Sequence, residues 1–178
     1  AREYEDALQW LRQAGLIHQV YLNKTPNMPL SAYDDLSAFK IYLSDIGLLR
    51  KLAEVPVAAL VTKDDVIGYR EFKGAFAENY VLQSLSTQST VNLRYWTSNN
   101  SAEVDFLLQY DTHILPIEVK SGKSTSSRSL TLYNADKHPI LRIRYSDKEL
   151  KLDDNLLNIP LYMADWTFAL LDRIIASL

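Results

Sequence analysis

Glu103-Val104-Asp105-Phe106-Leu107-Leu108-Gln109-Tyr110, then Asp111-Thr112, then His113-Ile114-Leu115-Pro116-Ile117-Glu118-Val119-Lys120 is the stretch that decides the fold. Two apolar runs flank a polar pair, the pattern of a β-hairpin closed by a two-residue turn. With Asp111-Thr112 as the turn, Tyr110 faces His113, Leu108 faces Leu115 and Phe106 faces Ile117. One step further, Asp105 falls opposite Glu118 and Glu103 opposite Lys120. Directly opposed residues share a face of the sheet. Val104, Phe106 and Leu108 then look to the other side with Leu115, Ile117 and Val119, a uniformly apolar set that reads as core. One more residue in the turn would shift the register and put Asp105 on the wrong face.

The polar face carries the chemistry. Asp105 and Glu118 form a like-charged pair, which is destabilising unless a positive group sits between them. A divalent cation is the natural occupant, because Mg²⁺ takes one or two carboxylates and completes its shell with water and phosphate oxygens. Lys120 follows on the same face, where its ammonium would polarise an attacking water or balance charge on a phosphate. Glu78 adds an independent sign. It lies three residues after Ala75, four before Leu82 and seven before Leu85, inside the apolar stripe of a helix. A carboxylate there needs a partner or an ion. Gly74, one turn earlier, leaves room beside it.

Composition limits the alternatives. The 178 residues suit one ordinary domain or two small ones, and 47% hydrophobic with 23% charged residues is globular. With no cysteine there is no disulfide framework, thiolate metal site or cysteine nucleophile. Three scattered histidines, His18, His113 and His138, argue against a histidine zinc site. No apolar run reaches the length of a membrane span and no secretion signal is visible, so a cytoplasmic protein is expected. The chain opens at Ala1 straight into a helical pattern, so a piece of a longer protein is expected. A net charge of −3 is not that of a generally basic nucleic-acid binder. Between 114 and 148, however, seven Lys and Arg stand against three acidic residues. That surplus makes Lys123, Arg128, Arg142 and Arg144 candidates for a phosphate backbone.

Outward from the hairpin, residues 4 to 14 read as a helix, Leu16 to Leu22 and Phe39 to Leu43 as strands, and Ile46 to Leu52 as a helix capped by Ser44. This suggests the end of a winged-helix unit at 1–53, with 54–66 as a junction and 67–178 as the main domain. The main domain reads as a helix over 70–87, strands near 91–97, 102–109 and 113–120, a helix near 128–136, strands at Ile140 to Tyr145 and Leu157 to Tyr162, and a last helix over 166–178. A strand meander followed by a helical crossover predicts a mixed α/β sheet. Of Tyr95 and Trp96, one is expected in the core and one partly exposed. Gly122-Lys123-Ser124-Thr125 imitates a phosphate-binding loop, but the glycine required five residues earlier is Ile117, which excludes ATP there.

The Asp105 and Glu118-Val119-Lys120 set resembles the PD-(D/E)XK nuclease superfamily, although no Pro-Asp dipeptide precedes it. A closer resemblance is to the C-terminal module of prokaryotic AAA+ ATPases called domain of unknown function 4143. It rests on Tyr42-Leu43-Ser44-Asp45-Ile46-Gly47-Leu48-Leu49, Lys73-Gly74-Ala75-Phe76-Ala77-Glu78-Asn79, Ala102-Glu103-Val104-Asp105-Phe106 and Pro116-Ile117-Glu118-Val119-Lys120-Ser121-Gly122. Trp10-Leu11-Arg12-Gln13-Ala14-Gly15-Leu16-Ile17 is similar to the family's winged-helix link. The resemblance implies a restriction-endonuclease-like αβββαβ core. It implies Asp105 and Glu118 as ligands of Mg²⁺ or Mn²⁺ with the Val119 carbonyl, Lys120 as the catalytic lysine and Glu78 as auxiliary acid. It further implies an upstream AAA+ ATPase domain, absent here, as the place for ATP.

The expectation is therefore a metal-dependent endonuclease or exonuclease domain acting on nucleic-acid phosphodiesters, most naturally DNA, away from membranes and open to homo-oligomer formation. The competing expectation is a catalytically silent module that regulates the ATPase or binds nucleic acid or protein.

Overall fold

A computed structural model describes residues 4–61, 70–89, 91–98, 102–122 and 126–177. Among them the chain runs α1 (Glu5–Gln13), β1 (Ile17–Asn23), β2 (Asp34–Leu43), α2 (Ile46–Leu52), α3 (Val57–Val61) and α4 (Arg70–Gln88). It continues with β3 (Arg94–Thr97), β4 (Glu103–Tyr110), β5 (His113–Val119), α5 (Arg128–Lys137), β6 (Arg142–Ser146), β7 (Lys151–Asp153), β8 (Leu156–Pro160) and α6 (Thr167–Ile175).

The turn at the centre forms as its residues require. Asp111 takes φ +51°, in the left-handed region that aspartate tolerates better than most residues, and Tyr110 meets His113 across it. From this hairpin one mixed sheet extends in the order β2-β1-β3-β4-β5-β6-β8-β7. β1 with β3, β5 with β6, and β6 with β8 are parallel pairs, and the rest are antiparallel. Helix α5 bridges the parallel strands β5 and β6, as a parallel pair demands. The protein is thus an α/β structure.

The segment expected to form a winged-helix end is not set apart from this sheet. β2 pairs along β1, and β1 joins β3 through Tyr21 with Arg94 and Leu22 with Tyr95. Further details depart from the sequence reading. The cap of α2 is Asp45, whose Oδ1 accepts the Leu48 N–H at 2.7 Å, whereas the Ser44 hydroxyl donates to the Gly15 carbonyl. β2 begins at Asp34, well before Phe39. Helix α3 falls in the stretch read as a junction, of which 62–66 lie outside the described residues. Leu161–Trp166 forms 3-10 turns where a strand was expected to reach Tyr162.

Two cores cover the sheet. One face packs Val81, Leu82 and Leu85 of α4 and Leu171 of α6 on Phe106, Leu108, Leu115, Ile117, Ile143 and Tyr145. The other packs Leu130 and Tyr133 of α5 on Trp96, Val104 and Leu107. Helix α4 is fastened to β2 by Asn79, which is 2% exposed. Its Oδ1 accepts the Leu43 N–H at 2.9 Å and its Nδ2 donates to the Leu43 carbonyl at 2.8 Å. Asn79→Ala strips both partners from the half-buried Leu43 main chain, so the unfolding free energy should fall by about 2–4 kcal/mol. Urea unfolding checks this. A loss under about 0.5 kcal/mol would mean that water replaces the amide at no cost.

Candidate functional site

Strands β4 and β5 keep the expected register from Tyr110 and His113 as far as Phe106 and Ile117, where the described pairing ends. On the other side of β4, Leu107 faces Arg94 but Val104 faces Trp96. Asp105 and Phe106 together therefore occupy the place opposite Tyr95, which makes a β-bulge. The packing records the consequence. Phe106 and Leu108 lie in the core under α4, while Val104 and Leu107 lie in the core under α5. The expectation that Val104 shares a face with Phe106 is corrected by this extra residue.

The bulge re-aims Asp105. Its Oδ2 accepts the Val119 N–H at 2.7 Å, so a side chain serves the β5 main chain where the strand pairing stops. Glu118, the residue before, is only 4% exposed. One of its oxygens pairs with the Lys120 ammonium, and the other, Oε2, is buried with no hydrogen-bond partner. Glu103 does not meet Lys120, as simple pairing suggested. It sits opposite Thr97 and forms an ion pair with Lys40 of β2.

Glu78 comes from α4, on the flank of the stripe that buries Val81, Leu82 and Leu85. It is half-buried, and its Oε2 accepts the hydroxyl of Tyr42 at 2.9 Å. A Cβ on Gly74 would meet only the Ser121 hydroxyl, at 4.0 Å, so the start of α4 stays open beside the end of β5. Glu78, Asp105 and Glu118 thus act on one another, and Lys120 acts on Glu118. Burial, then the charges of Glu78 and Glu118, push the Asp105 carboxyl up to about 8, against the pull of the Val119 N–H and Lys40. Burial likewise raises Glu118, while its bond to Lys120 holds it back.

Sequence reasoning missed Lys40 and Tyr42. Burial opposes the Lys40 ammonium, yet Glu103, Glu78 and Asp105 together raise its pKa. Its Nζ also lies 4.9 Å from the centre of the Tyr95 ring. The available signal was the alternation Lys40-Ile41-Tyr42, which puts a cation and a hydroxyl on one face of a strand.

The basic candidates are dispersed. Lys123 lies outside the described residues. Arg128 is exposed at the start of α5. Arg142 and Arg144 are half-buried on β6, their Nε atoms donating at 2.9 Å to Asn155 and Asn158. Arg144 stands beside Glu118 in the β5–β6 register. Tyr95 and Trp96 are both buried, at 9% and 4% exposure, so neither offers a ring face to a base.

The donor set is one of hard oxygens, which suits Mg²⁺ or Mn²⁺. Among the described residues, no group of three acidic or histidine side chains is placed to hold a metal. Two carboxylates with water would suffice for Mg²⁺. The partnerless Glu118 Oε2 and the crowded Asp105 are the atoms such an ion would relieve.

A family model described as "Domain of unknown function (DUF4143)" matches residues 73–163, just over half of the chain. A second, described as "Domain of unknown function (DUF8612)", matches residues 1–58. No curated protein and no solved structure matches the chain. Among the described residues no helix is long and apolar enough to cross a membrane.

Proposed function

The chain belongs to the DUF4143 family, and we propose that it is a nuclease-like domain of the PD-(D/E)XK type, the C-terminal part of an AAA+ ATPase, hydrolysing nucleic-acid phosphodiesters with Mg²⁺ or Mn²⁺. The observation that carries this reading is Glu118 Oε2, a carboxylate oxygen buried without a partner near the half-buried Asp105 carboxylate. Leaving such an atom unsatisfied costs about 1–3 kcal/mol or more, which a purely structural site would have removed.

Asp105 and Glu118 would hold the ion, with Glu78 alongside and the Val119 carbonyl as the main-chain donor. The ion supplies Lewis-acid charge against phosphoryl oxygens. The chain's own groups do the rest. Lys120 brings an ammonium to the phosphate and water, and its bond to Glu118 fixes where that charge sits. Arg144, next to Glu118, and the exposed Arg128 extend positive charge for the flanking backbone. Asp105 must give up its proton to bind the ion, and its raised pKa makes that step dependent on pH.

The test is cleavage of single- and double-stranded DNA and RNA with Mn²⁺, in the wild type and in Lys120→Ala. Lys120→Ala should keep the metal but cut more slowly by roughly 100-fold or more. Equal cleavage by both proteins would remove the lysine from the chemistry. A second reading, a silent interaction module, is favoured by the Glu118–Lys120 pair and the lack of a three-ligand group among the described residues. Metal binding with no cleavage of any of the four substrates would decide for it.

A further inference from the structure

We infer that the N-terminal segment completes the carboxylate site, with Tyr42 and Lys40 of β2 as positioning residues that orient Glu78 and balance the clustered acids. The inference rests on the metal reading above and concerns its regulation by a segment outside residues 73–163, the part matched by the DUF4143 model.

The geometry is specific. Asn79 clamps Leu43 to α4 through two hydrogen bonds. The residue before Leu43 on the strand thereby meets the residue before Asn79 on the helix, and the Tyr42 hydroxyl donates to Glu78 Oε2 at 2.9 Å. Tyr42 is 8% exposed, and its ring packs on Phe106 at 5.4 Å between centroids, next to the bulge at Asp105. Its donor is therefore held in place and aimed at one carboxylate oxygen. Lys40, one pleat along, pairs with Glu103 and lies within reach of the fields of Glu78 and Asp105. The edge strand thus delivers a hydroxyl donor and a counter-cation, both from the stretch matched by the second family model.

The two residues have opposite effects on a bound cation. By donating to Oε2, the Tyr42 hydroxyl would hold the Glu78 carboxylate in one orientation beside an ion at Asp105 and Glu118. Loss of such outer contacts typically weakens metal binding about 10-fold or more. The Lys40 ammonium repels the ion. Lys40→Met removes that repulsion and should tighten binding several-fold.

The experiment titrates Mn²⁺ calorimetrically into the full chain, Tyr42→Phe and Lys40→Met. Alongside it runs a thermal double-mutant cycle of Tyr42→Phe with Glu78→Ala in metal-free protein. Weaker binding by Tyr42→Phe, tighter binding by Lys40→Met and midpoint losses that fail to add are the expected results. A residue that merely supports the fold would weaken binding in both variants, and that shared direction overturns the inference, as does unchanged affinity. If the wild type binds no Mn²⁺, the metal reading itself fails. The cycle then decides alone: additive losses overturn the contact between β2 and Glu78, and coupled losses uphold it.

Discussion

Mn²⁺ should raise the thermal midpoint of the wild-type chain, and Asp105→Ala should abolish the rise. An ion that binds only the folded state stabilises by about 2.7 kcal/mol at 100 times its dissociation constant. For a domain of this size each kcal/mol moves the midpoint by about 2–4 °C, so the rise should be roughly 5–10 °C. Asp105 is the residue to remove because two other carboxylates press on it and the bulge holds it at the break between β4 and β5. The metal-free Asp105→Ala midpoint should stay near the wild type. Removing the charge relieves repulsion from Glu78 and Glu118, while losing Oδ2 leaves the Val119 N–H without its acceptor. Asp105→Asn separates these effects, because its amide oxygen can still accept from Val119. At pH 8 it should be more stable than the wild type without metal, yet blind to Mn²⁺. A full rise in Asp105→Asn would place the ion elsewhere. No rise in the wild type would end the metal reading and leave the interaction module.

The hairpin at the centre was legible because its signal is local. Asp111-Thr112 fixes the turn, and the turn fixes every pair back to Phe106 and Ile117. The break one residue later was not legible. A bulge depends on what lies across the strand, here Tyr95 and Trp96 on β3, and nothing in Val104-Asp105-Phe106 announces it. The same limit hid β2. Lys40 and Tyr42 are far along the chain from Asp105, and only the joining of β1 to β3 and the Asn79 clamp bring them to it. Glu78 was found because a charge inside an apolar helical stripe is anomalous in the sequence itself. Its partner Tyr42 was not, since a tyrosine in a half-buried strand is unremarkable. The Ser44 cap missed by one position for a related reason: Ser44 and Asp45 are both good caps, and only Asp45 turned its side chain to the Leu48 N–H.

Without metal, stability should fall as pH rises from about 4 to about 8, and Asp105→Asn should flatten that fall. The unfolded chain releases the Asp105 proton near the ordinary value of 3.8, but the folded chain keeps it to about 8. Between those values the folded state binds the extra proton, so raising the pH favours unfolding, by at most about 1.4 kcal/mol per pH unit for one group. Glu118, also raised, adds to the same slope. His18 works against it. Burial lowers its pKa, so its share of stability grows as pH climbs through its ordinary 6.5. The wild-type curve alone would mix these terms, and the difference between wild type and Asp105→Asn at pH 5, 6, 7 and 8 isolates Asp105. That difference should move steadily against the wild type, and parallel curves would show that Asp105 titrates in the ordinary range. The same proton competes with the ion. Below pH 8, each unit of acidification should weaken Mn²⁺ binding by up to about 10-fold, because the ligand must be ionised to bind. If Asp105 is a ligand, the ion should be held at neutral to alkaline pH and released on modest acidification. A surface carboxylate pair, titrating near its ordinary value, would keep Mn²⁺ affinity constant over the same range.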